Sequence, residues 1–545
     1  MATCRFGARL GAALARDPAL DYQRAGRKRG KGSVMVDECL RRRAALLGIL
    51  VTLLLAAAGE ARAFGLDDVA AIAERNGAEP YRADRQKAVP EWMRAGKMTY
   101  DQWRDIRFKP DHALWRDEGL PFQVQLFHPG LYFERSIEVN VVDADGVKPF
   151  PYSTALFDYG KNKFASKIPS DIGFAGLRIH YPLKSKDYHD EVAVFLGASY
   201  FRAVGRDNVW GLSARGLAID TVEASGEEFP NFIEYWLAKP TQGATHFVLY
   251  ALLDGPTATG AYRFDITPGA ETAMAVDCVL FARGTRPAKI GLAPLTSMFF
   301  FGENTTRKFE DFRPEVHDSD GLLLHFAGGE WLWRPLDNPP RINVASFAMH
   351  DPRGYGLIQR DRDFGHHQDI ETRAERRPSA WVEPRGDWGD GHVQLVEIPT
   401  GNEKLDNMVA YWVPATPPKP GAPLRFGYTL RWFVDAPERP PGARVVATRR
   451  DRGTIDTSND GYRYVVDFEG DALRALDDAS PPRAVVTATN GAKVYDEHVY
   501  KNPVTGGFRL TFQIKPKDEQ PVELRAYLER NGDVLSETWS YVWLG

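Results

Sequence analysis

From Phe122 onward, apolar and polar residues alternate in short runs bounded by Gly, Pro or Asp. Alternation with period two is the pattern of strands with one buried face. Residues 123–127, 135–142, 191–196, 246–253, 261–267 and 273–283 are read as strands on this basis. Residues 322–326 and 330–334 form a further pair, a hairpin broken at Ala327-Gly328-Gly329. Just before it, His317-Asp318-Ser319-Asp320-Gly321 reads as a tight turn, because Asp and Ser bond their own backbone and Gly accepts positive φ. Helical spacing is confined to the start of this region. Val69, Ile72 and Ala73 mark a short amphipathic helix over 66–76, and Thr99-Tyr100-Asp101-Gln102 has the form of a capping box opening a second over 101–107. Many short strands with few helices describe an all-β fold whose first part, residues 64–413, is a large antiparallel β-sandwich.

The pattern changes after Trp412. Residues 414–421, Pro-Ala-Thr-Pro-Pro-Lys-Pro-Gly, are stiff and poor in core-forming side chains, as a linker between domains would be. Beyond it, 424–432, 444–448, 462–468, 483–489, 508–515, 522–529 and 537–544 read as seven strands, the count and spacing of an immunoglobulin-like β-sandwich over 422–545.

A chain of 545 residues is longer than one core usually serves, and 49 Gly with 37 Pro agree with turn-rich β structure. Net charge is −4, but residues 1–63 hold twelve Lys/Arg against five Asp/Glu, leaving the remainder near −11. An acidic chain without basic runs argues against nucleic acid as a partner. The basic excess belongs to a leader: Arg41-Arg42-Arg43, the uncharged run Ala44–Gly59, then Ala61-Arg62-Ala63 as a cleavage site before Phe64. Met35 would start a signal peptide of ordinary length. The general secretory route fits these residues better than the twin-arginine route, and either leads to the periplasm. Cys278 is the one cysteine after the leader, so an intrachain disulfide and a thiolate zinc site are excluded for the exported chain; it sits in an apolar run as a small buried side chain.

No nucleophile elbow, phosphate loop, His-Glu-x-x-His helix or dinucleotide fingerprint occurs, which removes nucleotide chemistry and zinc proteolysis. Carboxylate chemistry is left. Glycoside hydrolysis needs one carboxylic acid at the leaving oxygen and one carboxylate that directs water. Asp318, Asp320, Glu330, Asp361, Asp363, Asp369, Glu397, Glu403 and Asp406 are all available. Trp331 and Trp333 offer rings for pyranose faces, or else pack in a core. Residues 360–369 could equally be a solvated loop held by Arg–Asp pairs, in which His366 and His367 read as loop or sugar-contact residues rather than metal ligands. Asp406 precedes the apolar run 408–412. It is either an acid whose pKa burial raises, as a proton donor requires, or an ordinary turn residue.

At several stretches the chain resembles a known family. Gly197-Ala-Ser-Tyr-Phe-Arg-Ala203, Gly211-Leu-Ser-Ala-Arg-Gly-Leu-Ala-Ile-Asp220, Glu228-Phe-Pro230, His317-Asp-Ser-Asp320, Trp333-Arg-Pro-Leu336, Arg377-Pro-Ser-Ala-Trp381 and Leu405-Asp-Asn407 are similar to the periplasmic glucan biosynthesis proteins G and D of Gram-negative bacteria. Asn502-Pro-Val-Thr-Gly-Gly-Phe-Arg509 and Leu535-Ser-Glu-Thr-Trp-Ser-Tyr541 look more like the G type. The resemblance implies a galactose-mutarotase-like sandwich followed by an immunoglobulin-like one, and a role in osmoregulated periplasmic glucans with a β-1,2-linked glucose backbone. It further implies an inverting endo-β-1,2-glucanase in which Asp406 matches the general acid. Asp318 matches the base of the D type, reached through ordered waters. Glu403, Arg377, Trp381 and Asp363, by motif proximity, with Asp320 and Trp333, are the expected glucan contacts. Neither a metal nor a cofactor is called for. The alternative is a non-catalytic glucan-binding or scaffolding protein that receives the chain from an inner-membrane glucan synthase.

Overall fold

The computed structural model describes residues 63–284, 289–307, 309–419, 421–435, 440–452, 461–477 and 481–545. The leader and its two export routes lie outside these residues. The chain from Phe64 to Gly545 forms one compact unit, and among the described residues no helix is long and apolar enough to cross a membrane.

The fold is all-β. One sheet runs in the order Gln123–Phe127, Gly176–Ser185, Tyr188–Leu196, Tyr200–Ala203, Ser213–Arg215, Ile290–Ser297, Met408–Pro414, Asp390–Glu397 and Asn343–His350. A longer sheet contains the antiparallel series Asn231–Ala238, Phe247–Asp254, Ala258–Thr267, Thr272–Ala282 and Leu424–Phe433. Leu295, Val393 and Trp412 from the first sheet meet Leu249, Phe264, Val276 and Leu430 from the second in a single core. The alternation seen in the sequence therefore places one face of each sheet inside, as a sandwich requires.

The two expected helices are present as Leu66–Ala78 and Tyr100–Arg104. Val69, Ala70 and Ala73 of the first cover Trp236, Leu252 and Val279 on the outer face of the long sheet. In the second, Gln102 N–H donates to Thr99 Oγ1 at 3.2 Å and Gln102 Oε1 accepts from Thr99 N–H at 2.9 Å, the reciprocal box read from the sequence.

Residues 414–421 do not separate the two sandwiches. They connect Met408–Pro414 in one sheet to Leu424–Phe433 in the other, where Leu430 lies between Met274 and Val382. Pro-rich composition marked a break between strands but said nothing of its destination, and Lys419 O accepts from Ala422 N–H at 3.1 Å in a turn; the chain leaves the first sandwich only after Phe433. Among the described residues the second sandwich then has eight strands, counting the two-residue Asp533–Val534; Lys493–Lys501 was not expected, and 424–432 belongs to the first sandwich. It is joined to the first through the sheet itself, since Leu332 and Trp333 pair with Thr538 and Trp539 in parallel.

That junction covers both faces of the central strands. Leu322, Leu332 and Ala380 face the first core, whereas Leu323, Trp331, Trp333 and Trp381 face a second core with Tyr464, Phe512, Leu524 and Trp539. The expected hairpin is found as Gly321–His325 and Trp331–Pro335 with Leu322 opposite Arg334. The expected tight turn at 317–321 is not. Val316–His317 pairs with Phe299–Phe301, Ser319 is buried against Ser297 Oγ at 2.9 Å, and the chain passes from one pairing to the next without reversing as a hairpin. Gly321 serves close packing: a Cβ there would stand 2.2 Å from the Trp333 ring.

Candidate functional site

An open groove of about 770 Å³ lies along Tyr188–Leu196 and Tyr200–Ala203, bordered by residues 404–406. Phe127, Phe133, Tyr200 and Trp210 supply partly exposed rings, Arg202 a cation, and Asp406 an acid. Asp406 is exposed along the groove, yet protein crowds its carboxyl. That crowding and then the charge of Asp318 push its pKa up to about 6, against the pull of Arg202, Arg215 and Arg377. Asp318 is thus electrostatically within reach of Asp406. Its own carboxyl is raised by burial, while its ion pair with Arg377 and the charge of Arg202 favour the anion.

Asn407 explains how the acid-bearing loop is aimed. Its side chain accepts from Phe299 N–H at 2.8 Å and donates to the carbonyls of Phe299 and Ile398 at 3.0 and 2.9 Å. Phe299 in turn pairs with His317, and Asp318 N–H donates to Met298 O at 2.8 Å. One buried amide therefore ties the segment before Asp318 to the residue after Asp406. Asn407→Ala is expected to cost about 1–3 kcal/mol, because Phe299 N–H loses its acceptor in a dry environment. Chemical denaturation measures the loss.

Other expected residues are distributed differently. Arg377 does reach the site, donating to His317 O at 3.2 Å as well as pairing with Asp318. Glu403 accepts from Arg313 at 2.8 Å, and Arg313 also reaches Asp369, so Glu403 is part of a rim of linked loops. Asp363 is exposed and caps the short helix Phe364–His367, accepting from Gly365 N–H at 2.6 Å. Asp320 is not among the residues lining the groove; it borders a separate small pocket, and its Oδ2 accepts from Arg360 N–H at 3.0 Å.

Trp333 and Trp381, expected at the glucan, are 3% and 5% exposed and belong to the second core. Period-two alternation identified their face, and that face is covered by the second sandwich. His367 is fully buried, its Nε2 3.3 Å from Asp361 O, which removes it as a sugar contact. The rings that do line the groove were not among the expected contacts. Tyr200, Arg202 and Arg215 sit within the stretches 197–203 and 211–220 that carried the resemblance, which was the available signal.

Fold and site together define an all-β protein of two joined sandwiches, with an aromatic-, arginine- and carboxylate-lined groove open to an extended ligand. The family model described as Periplasmic glucan biosynthesis protein, MdoG, matches residues 64–543, and the chain belongs to this family. It is 49% identical over 497 residues to the Glucans biosynthesis protein G of Ralstonia nicotianae, covering 90% of this chain and 98% of that protein. The protein of the same name from Sodalis glossinidius is 46% identical over 489 residues, covering 88% and 93%, and that of Pseudomonas aeruginosa PAO1 is 45% identical over 489 residues, covering 88% and 92%.

Proposed function

We propose that this protein acts in the periplasm on the β-1,2-linked glucan backbone as an inverting endo-glucanase, with Asp406 as general acid. The observation that carries this reading is a carboxyl facing an open groove, with crowding and the neighbouring charge of Asp318 raising its pKa to about 6. In the mechanism, the rings of Tyr200 and Trp210 hold glucose faces and Asp406 passes its proton to the bridging oxygen. Asp318, whose anion the paired Arg377 favours against burial, draws the proton from the attacking water. Arg202 and Arg215 then stabilise the Asp406 carboxylate that results.

Purified mature protein incubated with linear β-1,2-glucan, with products sized by chromatography, tests the proposal. Shortening of the chains is the expected result. Glucan of unchanged length that still binds would leave the non-catalytic reading, in which the groove receives a nascent chain from an inner-membrane synthase. The pH profile is a second test. The acid must be protonated, so the rate should fall about tenfold per pH unit above about 6, and replacing Asp406 should abolish that limb.

A further inference from the structure

Apart from the groove, where residues of the two cores meet, is a second cluster of ligand-type side chains that the proposed reaction does not use. Glu315 and His317 lie two positions apart on extended backbone and so point to one side. Asp361, just past the strand Gly354–Ile358, meets them there. The ligand atoms of these three residues all fall within 4.8 Å of one another, and the residues are 6%, 0% and 7% exposed. They border a small pocket of about 20 Å³ that Glu303 and Asp320 also line. That is room for one small ion or one water.

The pairing within the cluster is incomplete. The Asp361 carboxyl faces that of Glu315, and its imidazole neighbours, His366 Nδ1 at 3.5 Å and His317 Nε2 at 3.9 Å, stand at or beyond the limit of a hydrogen bond. Asp320 Oδ1 is buried without a partner among the described residues. A carboxylate removed from water without a donor is costly, and a cation shared with its neighbours relieves that cost.

We propose that Glu315, His317 and Asp361 bind one divalent transition-metal cation, with Asp320 able to complete the set. An imidazole among carboxylates favours Zn²⁺ or Mn²⁺ over Ca²⁺ or Mg²⁺, which prefer oxygen donors alone. The His317 ring is oriented by packing: it stacks on Phe299 at 5.4 Å and meets the edge of His367 at 5.1 Å, while its Nδ1 has no partner among the described residues. The ion replaces the proton that His317 Nε2 shares with Glu315 at 3.0 Å. It links the segment that carries Asp318 to the segment that carries Arg362 and His366. Its role is structural and holds whether or not the groove cleaves glucan.

The test uses the whole mature chain, freed of metal with a chelator and titrated calorimetrically with ZnCl₂, MnCl₂ and CaCl₂ in separate runs. The expected result is one site per chain, filled by Zn²⁺ or Mn²⁺ with at least tenfold preference over Ca²⁺, and a Tm that rises with added ion. His317→Gln and Asp361→Asn should each weaken binding about 100-fold or more, beyond the ~10–100-fold typical of an outer-shell partner. Near-UV circular dichroism checks that both variants fold. Absence of saturable binding to the wild-type chain overturns the proposal irrespective of the variants. So does binding of undiminished affinity in both, which would place the ion elsewhere, for instance at the exposed His350 beside Asp351 and Asp390.

Discussion

Asp406→Asn is expected to slow cleavage of β-1,2-glucan by about 10²–10⁴-fold, the range that loss of a positioned proton donor produces. The amide has the shape of the carboxyl and cannot give up a proton on the required timescale, so the effect isolates proton transfer from packing. Stability should hold or rise at neutral pH. A pKa raised to about 6 means that the folded protein disfavours the anion relative to the unfolded chain. That penalty is absent below the unfolded pKa, grows as pH rises through about 6, and disappears when the group cannot ionise. Thermal unfolding of wild type and variant at pH 5 and pH 8 reads this directly, with the variant's advantage smaller at pH 5, where the penalty is only partly developed, than at pH 8. A substrate whose leaving group needs no protonation should recover much of the lost rate. If the variant instead cleaves ordinary glucan at the wild-type rate, Asp406 has no part in the chemistry.

Most of the secondary structure was legible because strands advertise themselves locally. The hairpin across 322–334 and the box at Thr99 depend on residues a few positions apart, and both formed as read. What depends on distant pairing was not legible. The alternation of Leu332 with Trp331 and Trp333 shows two faces, and an aromatic face free for sugar looks identical to one that a second sandwich covers. Prolines at 414–421 mark a break between strands, yet only the register of Leu430 between Met274 and Val382 shows that the strand beyond them returns to the first body. Asp406 and Asp318 were reached through resemblance, whereas the clamp that aligns them required Phe299, more than a hundred residues before Asn407. The cluster of Glu315, His317 and Asp361 is of the same kind. Each residue is unremarkable in its own segment, and the chemistry exists only where two segments meet.

The junction of the sandwiches rests on Arg360, and Arg360→Ala is expected to cost about 3–5 kcal/mol. Its Nη1 and Nη2 donate to Glu537 Oε1 and Oε2 at 2.5 and 3.0 Å, and Nη1 also reaches Val445 O at 2.5 Å. The guanidinium lies 3.6 Å from the centroid of the Trp333 ring. The Glu537 side chain is 0% exposed, so removing the arginine strands a carboxylate with only the Val445 N–H at 2.7 Å to satisfy it. The cost comes from that stranded charge more than from the lost attraction, and this makes a distinguishing variant available. In Arg360→Met with Glu537→Gln, the amide keeps an acceptor for Val445 N–H and no buried charge remains, so at least half of the loss should return. Arg360→Lys should fall between, since one ammonium cannot make both bonds or lie flat on the indole. Urea unfolding followed by tryptophan emission measures all three, and because Trp539 and Trp333 sit in the second core, an early transition in Arg360→Ala should report that core first. Equal stability of Arg360→Ala and wild type would mean that the sandwiches are held together by their shared sheet and the buried tryptophans alone.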